Sequence, residues 1–206
     1  VLEGEAPAVL RLGVFGGAFD PPHRAHVALA TAALQQLQLD QLRVLPTGMA
    51  WHKERPLTAS AHRLAMCKLA FVGLDKLVID PRETLRTGPT YTIDTLNELR
   101  QEYPAAQFYL LMGQDQAAAL AGWHRWREIA ETAIICIAAR AQSTGGDGHL
   151  DPQKFGLPQA IRLQMPPLPV SATDIRDRLA NDKSVSPLVF ESVARYIEQH
   201  HLYLTS

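Results

Sequence analysis

The chain has 206 residues, of which 47% are hydrophobic and 20% charged, with a formal net charge of −1. That is enough chain to bury a core of ordinary size without disulfides or metals, and it excludes a disordered or fibrous protein. The near-neutral balance excludes a general nucleic-acid binder, which would carry a basic excess.

No apolar run approaches the ~18 residues of a membrane span, and the N-terminus lacks the charged-then-apolar pattern of a secretory signal. The expectation is a cytoplasmic protein with one domain over residues 1–206, of which 1–8 form a flexible extension and about 171–200 a helical C-terminal part.

The first apolar run, residues 9–15, leads into Gly16-Gly17 and reads as a strand entering a glycine turn. Beyond the turn Val27, Ala30, Leu34 and Leu37 step by three and four, which predicts a helix with one buried stripe. A second strand at 42–46 leads to the basic loop Gly48 to Pro56, and then to a helix with Leu64, Cys67 and Phe71 inward. A third strand at 76–80 precedes a helix that begins at Thr92 and turns Ile93, Leu96 and Leu99 to the core. Strands follow at 107–112 and 133–139, with a weaker one near 160–165. Residues 143–148 are a flexible loop by composition, and Pro166-Pro167-Leu168-Pro169 is a stiff lead into the C-terminal part. Val189, Val193 and Ile197, spaced by four, mark a closing helix.

Strands that alternate with helices imply an α/β fold, a Rossmann-like doubly wound parallel sheet with helices on both faces. Ligands then bind beyond the C-terminal strand ends, where the strand order reverses. Cys67 and Cys136 lie inside apolar segments without a CxxC neighbour and read as buried thiols.

Most of the chemistry is concentrated in Gly16-Gly17-Ala18-Phe19-Asp20-Pro21-Pro22-His23-Arg24-Ala25-His26. Paired glycines let backbone N–H groups approach a polyanion, and a helix start adds unsatisfied donors and the positive end of a dipole. His23 and His26, three apart, would share one helix face and point at that anion, and a nearby phosphate would favour their cationic form. The expected ligand is a phosphate chain. Read alone, the histidines are a surface or capping pair. A zinc reading lacks third and fourth ligands and the i, i+4 spacing, so no side chain is assigned to a metal. Asp20, just before Pro21, reads as a helix cap or a shaper of the turn.

Far downstream, Ser171 and Asp174 form an S-x-x-D box, so Ser171 should cap a helix whose first N–H groups face the ligand. Arg176 on that helix carries a permanent forked charge suited to phosphate oxygens. Its plainer reading is a solvated arginine on a capped helix.

Residues 16–26 resemble the G-G-x-F-D-P-x-H-x-G-H signature of the nucleotidyltransferase superfamily that shares its fold with class I aminoacyl-tRNA synthetases. Val170-Ser171-Ala172-Thr173-Asp174-Ile175-Arg176 resembles its I-S-x-T-x-I-R segment, about 145 residues further on. Gly88-Pro89-Thr90-Tyr91-Thr92, Gly113-Gln114-Asp115 and Trp123 resemble the bacterial nicotinate-mononucleotide adenylyltransferases in particular. The resemblance runs from Leu12 to about His200. It implies transfer of the adenylyl group of ATP to nicotinate mononucleotide, giving nicotinate adenine dinucleotide and pyrophosphate for NAD biosynthesis.

On that resemblance His23, His26 and Arg176 are the catalytic residues. Gly16, Gly17, Phe19 and Ser171 join them in binding ATP, and Gly113 and Asp115 hold the adenosine ribose. His52 and Lys53 reach the phosphates from a loop that moves as the site closes. The pyridine carboxylate falls to the amides of Tyr91 and Thr92, which would prefer nicotinate to neutral nicotinamide, and the ring stacks on Trp123. Mg²⁺ is expected to bridge substrate phosphates, held by them and by water. The expected partners are ATP and nicotinate mononucleotide, without nucleic acid or membrane, and a homo-oligomer stays open.

Two residues depart from the signature: Ala25 stands where glycine is usual, and Ala18 where Thr or Ser is common. Plainer readings make Trp123 and Trp126 a core stripe and His52, Lys53 and Arg55 a solvated basic loop. At the level of function, the alternatives are a phosphopantetheine adenylyltransferase, which would not need Thr90 to Thr92 and Trp123, and a module that senses ATP or NAD without turnover.

Overall fold

The computed structural model describes residues 9–49, 56–138, 156–157 and 159–204. The proposed extension at 1–8, the loop at 143–148, and His52, Lys53 and Arg55 lie outside the described residues.

The chain runs β1 (Arg11–Gly17), α1 (Arg24–Gln36), β2 (Gln41–Pro46), α2 (Ser60–Ala70), β3 (Leu77–Ile79), the one-turn α3 (Arg82–Leu85) and α4 (Thr92–Glu102). It continues through β4 (Gln107–Gly113), α5 (Gln114–Ala119), α6 (Trp126–Thr132), β5 (Ala133–Ala138), β6 (Ile161–Leu163), α7 (Ala172–Leu179) and α8 (Glu191–Gln199). The six strands form one sheet in the order β3-β2-β1-β4-β5-β6, and every neighbouring pair is parallel. The order reverses between β1 and β4. The crevice beyond their C-terminal ends is therefore the switch point at which such sheets bind ligands.

Period-2 alternation divides the strands between two cores. Phe108, Leu110 and Met112 of β4 and Ile135 and Ile137 of β5 pack with Leu96 and Leu99 of α4 and Ile129 of α6. Tyr109, Leu111 and Cys136 face the opposite way, onto Ala30 and Ala33 of α1, Met66 and Cys67 of α2, and Val193 and Ile197 of α8. Both faces are covered, which is why the strands read as continuous apolar runs rather than as alternating ones. Gly13 keeps β1 close to its neighbours: a Cβ there would lie 2.6 Å from Leu39 Cδ1 and 2.7 Å from Leu42 Cδ1. Burial drives the Cys67 and Cys136 thiols well above the ordinary thiol range, in keeping with inert core residues.

Three details differ from the pattern expected of the sequence. Gly16 and Gly17 are the last two residues of β1, paired with Leu45 and Pro46, and the turn follows them. The contact face of α1 is Leu29, Ala30, Ala32 and Ala33, while Val27 and Leu34 are only partly buried. Three alanines let the helix backbone settle close to the sheet, and this rotates the larger side chains to its margin. On α2 the inward face likewise carries Arg63 and Met66, with Leu64 at its edge. Among the described residues no helix is long and apolar enough to cross a membrane.

Candidate active site

The turn after β1 is an elbow that reverses the chain into α1. Phe19 takes a left-handed backbone (φ 47°), the Asp20–Pro21 peptide is cis, and Phe19 is buried against Phe15, Phe71 and His26. The helix is capped by His23, in extended conformation, so Asp20 is not its cap and Pro21 not its first residue. Two consecutive prolines delay the helix, because the residue ahead of each, Asp20 and then Pro21, is steered away from helical dihedrals. His23 and His26 therefore do not lie along one helix face. Their rings stack instead, with centroids 3.7 Å apart and planes 21° apart.

The His23 backbone N–H donates to His26 Nδ1 at 3.1 Å. That bond makes His26 the Nε2–H tautomer and leaves Nε2 as its donor in the cavity wall. Burial, and then the neighbouring His23, hold His26 well below the ordinary histidine range. In the free protein it is a neutral donor rather than a cation, and a polyanion beside it would pull its protonation upward.

Asp20 is 1% exposed and acts as a junction. Its carboxylate accepts from the Thr58 N–H at 3.2 Å and from the Tyr203 hydroxyl at 2.7 Å. Its carbonyl accepts from Arg176 Nη1 at 2.8 Å.

Helix α7 delivers that arginine. Ser171 caps it as expected, its Oγ accepting from the Asp174 N–H at 3.1 Å. The reciprocal half of the box is absent from the described bonds, since the Asp174 carboxylate pairs with Arg178 at 3.2 Å instead. Fully buried Ile175 anchors α7 in the core, and Arg176 Nη2 donates to Thr173 Oγ1 at 3.1 Å.

One cavity of about 660 Å³ opens over the switch point, within the usual range for small-molecule sites. Gly16, Gly17, Phe19, His23, His26, Tyr91, Thr92, Gly113, Asp115, Trp123, Ser171 and Arg176 all line it. Every candidate within the described residues is thus brought together, by segments up to 160 residues apart. Gly16 and Gly113 end the two strands that flank the crevice, and a Cβ on either would meet no atom within 4 Å. Their missing side chains leave the cavity open where backbone N–H groups can meet a ligand. Asp115 lies in the first turn of α5, after the Gly113 cap. Tyr91 caps α4: its carbonyl accepts from the Asp94 N–H at 3.2 Å, and the Thr92 and Ile93 amides precede that first bond of the helix. Trp123 is partly buried against the second core and also borders the cavity, whereas Trp126 only packs. Ala18 and Ala25, the two departures from the signature, line the cavity or its approach without a hydroxyl to offer.

Some cavity residues carry no signal in the sequence. Glu83, from α3, is 5% exposed and accepts from Thr95 Oγ1 at 2.7 Å, and Thr95 in turn accepts from Arg86 Nη1 at 2.9 Å. Burial pushes the Glu83 carboxyl up to about 7, against the pull of Thr95 and Arg86. His124 lies against the Tyr91 ring, centroids 4.3 Å apart. Only its place beside Trp123 could have drawn notice to it. Among the described residues no three His, Cys, Asp or Glu side chains gather to hold a metal ion.

Comparison with known proteins shows the family and the fold. Residues 14–178 match the family described as cytidylyltransferase-like. A protein of Albidiferax ferrireducens named "probable nicotinate-nucleotide adenylyltransferase" is 58% identical over 95% of this chain and 99% of its own length. The chain belongs to the nicotinate-nucleotide adenylyltransferase family. A second member, from Methylibium petroleiphilum and of the same name, is 42% identical over 94% of the chain and 92% of its own. The fold of the family is shared by the Plasmodium falciparum nicotinic acid mononucleotide adenylyltransferase solved with NaAD, at TM-score 0.76 and 19% identity over 94% of this chain and 97% of that one. The same parasite enzyme solved with APC gives a TM-score of 0.74 over the same shares.

Proposed function

We propose that this chain transfers the adenylyl group of ATP to nicotinate mononucleotide, forming nicotinate adenine dinucleotide and releasing pyrophosphate. The observation that carries the proposal is the single cavity. It joins a phosphate-type elbow and a capped helix bearing Arg176 at one end to a helix N-terminus and an indole at the other. Family membership supports it, as do the ligands named for the parasite enzyme, NaAD and APC.

In this reading a phosphate oxygen of the mononucleotide attacks the α-phosphorus of ATP in line. The bond from that phosphorus to the bridging oxygen breaks, and its electron pair leaves on pyrophosphate. The attacking phosphate is already ionised near neutral pH, so no general base is needed, and positioning with charge stabilisation carries the reaction.

His26 donates its Nε2 proton to a triphosphate oxygen, His23 stacks on it and fixes its orientation, and Arg176 receives charge developing on the pyrophosphate. The backbone of Gly16 and Gly17 and the α7 start, capped by Ser171, line the path of the phosphates, with Phe19 holding the elbow. Gly113 and Asp115 flank the adenosine ribose. At the other end Tyr91 and Thr92 present the α4 amides to the pyridine carboxylate, and Trp123 stacks on the ring. His52 and Lys53 are proposed to join the phosphates when substrate is bound. Mg²⁺ would take its ligands from phosphate oxygens and water, since the cavity's Asp20 and Glu83 are buried and engaged with protein. It would neutralise charge between the phosphates.

Pyrophosphate release tests the proposal. Purified protein with Mg²⁺ and ATP should release it with nicotinate mononucleotide, more slowly with nicotinamide mononucleotide, and not with phosphopantetheine. Binding of ATP with no release from any acceptor would identify a sensing module and overturn the proposal.

A further inference from the structure

Residue 203 lies beyond the span matched by the family, on the tail that follows α8, yet its hydroxyl reaches a residue 183 positions earlier in the chain. The target, Asp20, is as deeply buried as Phe19 beside it in the elbow. Four residues from three segments tie that elbow. Thr58 donates to one carboxylate oxygen of Asp20 at 3.2 Å and Tyr203 to the other at 2.7 Å. Arg176 donates to its carbonyl at 2.8 Å. Arg63 of α2, 2% exposed, donates to the Ala18 carbonyl at 2.9 Å and to the Thr58 carbonyl at 2.8 Å.

Local preference does not hold the elbow in this shape. Phe19 occupies a left-handed conformation that is uncommon for a bulky L-residue, so the shape must be set by ties from outside. Those ties also orient the groups proposed to meet phosphate. The guanidinium of Arg176 is aimed by the Asp20 carbonyl, and His23 follows three residues later along the same turn. The tail comes to Asp20 from α8, which packs on α2, the helix that carries Arg63. Donors on both carboxylate oxygens fix its rotation, and removing the one on Oδ1 loosens that oxygen and, through it, the backbone of residue 20.

We infer that Tyr203 is a positioning residue for the triphosphate end of the cavity, acting through Asp20 on Arg176 and the histidine pair. The inference rests on the adenylyl-transfer reading for what is positioned, and on the hydrogen-bond geometry for how. The ties of Asp20 to Thr58, Tyr203 and Arg176 all lie at the triphosphate end, so the mononucleotide end serves as the control.

Tyr203→Phe removes one oxygen and tests this. At a temperature well below its melting point, its kcat/KM for ATP should fall about 10-fold, less than the ~10²-fold that a full 1 Å misplacement can cost. Its KM for nicotinate mononucleotide should stay within about 2-fold of the wild type. A merely structural tie would lower the melting temperature and leave both constants in place, and that result overturns the inference.

Calorimetry with a non-hydrolysable ATP analogue separates this from the parent reading, because the variant should bind about 10-fold more weakly whether or not the wild type turns over. Equal affinity refutes the inference, and wild-type inactivity refutes only the assigned reaction. In the wild type itself, ¹³C-labelled tyrosine should show the Tyr203 ring resonance moving as the analogue saturates. A resonance that stays put contradicts the coupling.

Discussion

Glu83→Gln should abolish much of the loss of stability that the wild type suffers between about pH 4.5 and pH 8. The carboxyl is 5% exposed, and burial is the largest influence on it, raising it from 4.5 to about 7 despite the Thr95 hydroxyl at 2.7 Å and the Arg86 charge. The folded chain therefore keeps this proton at pH values where the unfolded chain has released it. The resulting stabilisation is fully present below the unfolded pKa and is lost as pH rises through the folded one. At 1.36 kcal/mol per unit, the span from 4.5 to about 7 corresponds to about 3 kcal/mol. Gln matches the shape, still accepts from Thr95, and does not titrate. Urea unfolding of both proteins at half-unit steps should show the wild type falling relative to the variant by about 3 kcal/mol across the window, other carboxylates cancelling in the difference. Parallel stability curves would mean that Glu83 is ionised throughout and that burial does not govern it.

His26→Ala should lower kcat by at least ~10²-fold with an unchanged fold by circular dichroism, comparable to losing one preorganised donor. Near-normal turnover would remove His26 from the mechanism. Trp123→Ala should raise KM for nicotinate mononucleotide roughly 10-fold or more while leaving KM for ATP within about 2-fold, since stacking is worth on the order of 1 kcal/mol beyond area burial. Equal effects on both substrates would refute the stacking role.

The sheet was legible because both of its faces are covered: β1, β4 and β5 then read as largely apolar runs, and β2 is interrupted inside only by Arg43. Ser171 was equally plain, since a cap is a local device three residues long. The elbow announced its chemistry through glycines and histidines but not its shape. The stack of His23 on His26 depends on where two prolines let the helix begin, and on a Phe19 conformation that surrounding residues enforce. Arg63 looked like an ordinary polar residue of α2 and is buried because its partners, Ala18 and Thr58, come from other segments. The same holds for Glu83, paired with Thr95 across the α3–α4 junction, and for Tyr203, whose partner lies at the far end of the chain. What escaped the sequence is what long-range contacts decide. The face of α1 was misjudged for a related reason, because three alanines rather than the largest side chains set how it docks.

The account stands on the elbow and α7 sharing one triphosphate, and a crystal structure with Mg²⁺ and a non-hydrolysable ATP analogue examines that directly. Phosphate oxygens should lie within hydrogen-bond distance of both His26 Nε2 and the Arg176 guanidinium. Phosphates that lie against only one of the two, or the nucleotide bound outside the cavity, would contradict it.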